Sequence, residues 1–99
     1  MPDPFVITIN HSLGREEAKR RLQSGFVQAR DHLPGLEESW SGDQMDFRLG
    51  LMGQAVNGRI DVLDDCARIE VFLPRALGWL ARTIGRRVSE QTALMLEKR

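Results

Sequence analysis

Tyrosine is absent from the 99-residue chain, cysteine occurs once, and neither sign of charge is in excess. The last two exclude something. A lone Cys66 cannot close an internal disulfide, and with His11 and His32 far from it in sequence it forms no metal-ligand spacing. Fourteen Lys and Arg balance fourteen Asp and Glu, so the chain lacks the basic surplus that nucleic-acid or anionic-membrane binding draws on. No apolar run approaches the ~18 residues of a membrane span. The opening "MPDPFVITIN" has neither the basic start nor the apolar stretch of a secretory signal. Repeats and linkers are missing too. These absences predict one domain over residues 1–99 in a reducing cytoplasm, with no metal, no cofactor, no nucleic acid and no membrane span.

What is present is the material of a globular fold: 41% hydrophobic and 28% charged residues. A chain of this length buries roughly 65% of its unfolded surface, enough for one modest core. In "PFVITIN", Phe5, Ile7 and Ile9 alternate with Val6, Thr8 and Asn10. That pattern predicts a strand over 5–10 with odd positions inward. Ser12 has the chemistry of a helix N-cap, and Glu16 and Glu17 suit the positive end of the helix that follows. Ala18, Leu22, Phe26, Ala29 and Leu33 recur at helical spacing, predicting an amphipathic helix over about 13–32. Pro34 and Gly35 stop it.

Three strand joints are expected next. Gly42-Asp43 sits between two apolar segments, and Asn57-Gly58 is a strong local hairpin signal because both residues tolerate positive φ. A turn at Asn57-Gly58 sets Ala55 opposite Ile60 and Gly53 opposite Val62. The third joint, centred on Asp65-Cys66, sets Val62 opposite Ile69. Leu36 and Trp40 belong inward, which carries Glu38 inward opposite Phe47 on a short edge strand. An inward charge is one way to protect an edge.

Pro74 suits the first position of a last helix, 74 to about 96, about 35 Å long at ~1.5 Å per residue. Its stripe is Leu77, Leu80, Ala81, Ile84, Val88, Gln91 and Met95, and Gly78 and Gly85 on it predict close approach to the sheet. The element order is β-α-β-β-β-β-α. The expected fold is α+β: a two-layer sandwich with a curved antiparallel sheet, order 1-5-4-3-2, and both helices on one face. It resembles a pared-down helix-grip arrangement.

Chemistry is sparse. His11 and Ser12 are adjacent at a strand end, so their side chains point apart, and no G-x-S-x-G elbow is present. Asp61, Asp64 and Asp65 lack a calcium-loop spacing and fit a solvated turn. His11, Ser12, Gly14 and Arg15 surround a helix start, which is either a capped joint or a weak anion site. Val6 and Phe72 fall on the outer sheet face, which neither helix covers, and Trp79 lies off the helix stripe. These three fit a surface for a partner or a second copy, or packing at the edge of the core.

The strings "I-x-I-x-H-S-L-G-R-E-E-A", "W-S-G-D-x-x-x-F", "G-R-I-D-V" and "I-E-V-x-L-P" resemble the polyhydroxyalkanoic acid system proteins, a small bacterial family, from Ile7 to about Ile84. "HSLGREEA" is the most specific part. The resemblance implies a place in polyhydroxyalkanoate metabolism, at the storage granule or on a granule-associated protein, with no known reaction. The expected function is therefore a non-enzymatic accessory protein of polyester storage that binds the granule surface or a granule protein. One alternative is a small carrier holding an acyl or hydroxyacyl group between the last helix and the sheet. Another is a thioester-handling enzyme using His11.

Overall fold

The computed structural model describes residues 5–31, 35–51 and 53–96. The expected helix stop at Leu33-Pro34 and the first four residues of the N-terminal segment lie outside them. Strand β1 (Phe5–Asn10) leads to helix α1 (Arg15–Arg30), strands β2 (Glu37–Ser41), β3 (Gln44–Leu51), β4 (Gln54–Val62) and β5 (Cys66–Phe72), a 3-10 segment (Arg75–Leu80) and helix α2 (Ala81–Met95). The five strands form one antiparallel sheet in the order β1-β5-β4-β3-β2. This is the α+β fold expected from the sequence.

Alternation decides which face is buried. Met45 and Phe47 of β3, Val56, Ile60 and Val62 of β4, and Ala67, Ile69 and Val71 of β5 turn to the helical layer and are buried there. Ala18 and Leu22 of α1 close on them, and the Phe26 ring meets that of Phe47 with centroids 6.0 Å apart. Gly25 lets α1 approach α2, because the Met95 side chain fills the space a Cβ there would need.

The second joint is elsewhere than expected. The chain reverses between Leu51 and Gln54, where Gly53 adopts φ 76°. Asn57 and Gly58 lie in the middle of β4, with Gly58 paired to Phe47 on one side and Val71 on the other. Ala55 therefore faces Gly50, not Ile60, and Val62 faces Ala67. The cause is tertiary. The Phe47 ring occupies the volume a β-carbon at position 58 would take, so the glycine serves packing rather than a bend. The third joint also moves: Val62↔Ala67 centres the turn on Asp64-Asp65 instead of Asp65-Cys66. The inward face of β5 is unchanged, because the register slips by an even number of residues.

Helix α1 begins two residues later than expected, and its N-cap is Gly14 at φ 82°, with no side-chain cap bond. Ser12 does not cap it. The last helical stretch starts as a 3-10 segment, and only from Ala81 is it an α-helix. Gly85 does bring α2 onto β1, since a β-carbon there would lie 3.2 Å from the Phe5 ring; Gly78 faces open space. Helix α2 thus runs along β1, with Gly85 at Phe5 and Leu96 near Ile9.

Glu38 points inward opposite Phe47 as expected, but it is not free to reach water. Its side chain is only 9% exposed and receives Arg30 Nη2–H at 2.9 Å and Trp40 Nε1–H at 3.1 Å. The edge carboxylate is therefore neutralised from α1.

Candidate functional site

The corner after β1 is held by His11. Its backbone N–H donates to Asp65 C=O at 2.9 Å, extending the β1–β5 pairing into the β4–β5 turn. Its ring then ties both sides of the corner. Leu13 N–H donates to Nδ1 at 3.2 Å, and Nε2 lies 3.2 Å from Leu63 C=O. A carbonyl only accepts and Nδ1 is already accepting, so this geometry fits the neutral ring with its proton on Nε2. The imidazole braces the chain ahead of the helix without capping it. It satisfies a backbone donor ahead of the helix while anchoring the neighbouring turn.

Around it runs a charge network. Arg15 reaches Asp43 at 3.4 Å and Asp64 at 3.2 Å, and Lys19 reaches Asp43 at 3.7 Å while lying 5.8 Å from the centre of the Trp40 ring. These pairs connect α1 to both the β2–β3 and β4–β5 turns. Each is at least partly solvent-exposed and individually weak. Along α1, Arg20 and Arg21 hydrogen-bond Glu17, and this holds its carboxyl below the usual carboxylate value of 4.5.

Of the four corner residues named from sequence, His11 is committed to backbone groups and Arg15 to two aspartates. Gly14 forms the turn, accepting Ala18 N–H at 3.0 Å. Ser12 is exposed and opens onto a cleft. That cleft, about 710 Å³ and open to solvent, runs between the end of β1 and the end of α2. Ile9, Ala93, Leu94 and Leu96 give it an apolar floor, and Asn10, His11, Ser12 and Glu90 a polar rim. Sequence reasoning missed its helical wall. The available signal was Leu94, an apolar residue off the buried stripe, as Trp79 is.

The second group of residues is divided between the outer sheet face and the 3-10 segment. Val6 is 48% and Phe72 39% exposed on the outer sheet face, as alternation predicts. Val6 pairs with Glu70 and Phe72 with Asn57. Polar pairs occupy the rest of that face: Arg68–Glu70 at 2.8 Å, Arg59–Asp46 at 3.0 Å and Gln44–Asp61 at 2.8 Å. The sheet's outer face is a polar ladder, with Val6 and Phe72 as apolar neighbours across the β1–β5 pair. Trp79, on the 3-10 segment, is 71% exposed. Among the described residues no three His, Cys, Asp or Glu gather as a metal site, and no helix is long and apolar enough to cross a membrane.

These features define a small two-layer α+β protein with an open, apolar-floored cleft beside a structural histidine. The chain belongs to the family described as "Putative polyhydroxyalkanoic acid system protein", whose model matches residues 5–96. That match covers every described residue. No curated protein matches the chain.

Proposed function

We propose that this chain is a non-catalytic accessory protein of polyhydroxyalkanoate storage, working in the cytoplasm by docking on the granule surface or on a granule-bound protein. Family membership supplies the storage context. The observation that carries the docking is Trp79, one of two tryptophans in the chain and 71% exposed. A large aromatic left in water is the residue type that anchors interfaces. Phe72 and Val6 add apolar surface on the sheet. The engagement of both His11 ring nitrogens with backbone groups supports a non-catalytic role, because neither is left to act as a base.

The test is fractionation of polymer-accumulating cells expressing the tagged chain. Wild type is expected with the granules, and Trp79→Ser combined with Phe72→Ser in the soluble fraction at equal expression. Wild-type protein found wholly soluble overturns the reading.

The cleft favours a second reading, a carrier of a short acyl or hydroxyacyl group lying along Ile9, Leu94 and Leu96. Its polar rim would orient a carboxyl or hydroxyl end. Titration with 3-hydroxyacids of increasing chain length, followed by amide shifts, should move Ile9 to Ser12 and Ala93 to Leu96 together. Shifts spread elsewhere exclude it.

A further inference from the structure

We propose that the chain forms a twofold dimer in which β1 pairs antiparallel with β1 of a second copy, joining the two sheets into one. The sheet has two edges, β2 and β1. They are treated differently. Strand β2 is five residues long, and its inward Glu38 is the kind of device that discourages edge pairing. Strand β1 reads FVITIN, with no charge, glycine or proline. Alternate residues of an edge strand present N–H and C=O groups outward. Among the described residues, no loop or side chain bonds to the backbone of residues 5–10 on that side.

The core is also unfinished at this edge. Ala67, Ile69 and Val71 on β5 are fully buried, yet their partners across the pair, Ile9, Ile7 and Phe5, are only partly buried. Helix α2 lies along β1 and still leaves them open, and beside them Val6 is exposed and Leu94 is 62% exposed. A further strand would complete the layer.

A second copy fits because β1 is its own complement. With the twofold axis at Ile7, Ile7 faces Ile7 of the second copy and Phe5 faces Ile9 on the inner side. Val6 faces Thr8 on the outer side. Every pair is apolar or β-branched, a favourable cross-strand combination, and no like charges meet.

The experiment is light scattering on the full chain over a concentration series. Wild type is expected to reach twice the chain mass of 11.2 kDa. Val6→Lys with Thr8→Lys sets positive charges opposite one another, so at least a tenfold loss of association is expected. Both positions are exposed in the single chain, so the circular dichroism of the sheet should be unchanged. Val6→Lys with Thr8→Glu sets opposite charges across the same pairs and should restore the dimer. Three outcomes overturn the proposal: a monomeric wild type, a Lys/Lys variant as dimeric as wild type, or a Lys/Glu variant that stays monomeric. A wild type that is monomeric alone and associates only with a granule protein puts a different strand on this edge, and overturns it equally.

Discussion

The ring of Phe47 lies directly across the β3–β4 pair from Gly58, in the space where any other residue would carry its side chain. That relationship explains why an Asn-Gly pair sits in mid-strand. It also makes position 58 one of the least replaceable in the sheet. Gly58→Ala drives a methyl into the ring and must displace Phe47 from Phe26. Overpacking of this kind costs about 1–3 kcal/mol. The lower urea midpoint should be partly recovered by adding Phe47→Leu, since neighbouring sites do not add independently. Equal stability of Gly58→Ala and wild type would show that the ring moves aside freely.

His11 should behave as a structural residue. His11→Ala removes one bond to Leu13 N–H and one to Leu63 C=O, so it is expected to lower stability by about 1 kcal/mol, the net worth of neutral, partly exposed bonds. Nitrogen NMR of the ring at pH 8 should show the proton on Nε2. Granule association of the folded variant should match wild type; a variant that is stable but functionally dead would give His11 a chemical role.

Cys66 should react slowly. Partial burial raises its thiol above the ordinary 9.0, and the negative Asp65 beside it raises it further. The thiolate is the reactive species, so alkylation at neutral pH should lag behind a free cysteine and accelerate only in clearly alkaline solution. Asp65→Asn, which removes the second cause, should shift the rate profile to lower pH. A Cys66 that alkylates as fast as free cysteine at pH 7 contradicts this environment.

The strand faces were legible because alternation is a local signal: Phe5, Ile7 and Ile9 point inward as their spacing requires, and so do Ile69 and Val71. So was the order of elements, and so was the inward turn of Glu38. What sequence could not show were residues whose role is set from across the fold. Asn57-Gly58 carries every local mark of a hairpin, yet Phe47 claims the glycine, and the reversal passes to Gly53. Ser12 has capping chemistry, but α1 starts from Gly14 at φ 82°, two residues further on, and the imidazole of His11 holds the intervening corner to the β4–β5 turn. At the candidate site, His11 and Ser12 were visible as a corner. The cleft was not, because Ala93 and Leu94 come from the far end of the chain.

The placement of β1 has a consequence for how the molecule assembles. Strands β2 to β5 follow one another through short turns and can zip up locally. Strand β1 must wait, since Phe5 pairs with Val71 and Asn10 with Cys66. Contacts so distant along the chain close late in folding, because loop entropy opposes them until other structure is in place. During synthesis β1 leaves the ribosome well before its partner β5, and is therefore seated late. For that interval an uncharged, β-prone hexapeptide has no mate, which makes β1 a point at which a chaperone or a misfolding neighbour would take hold.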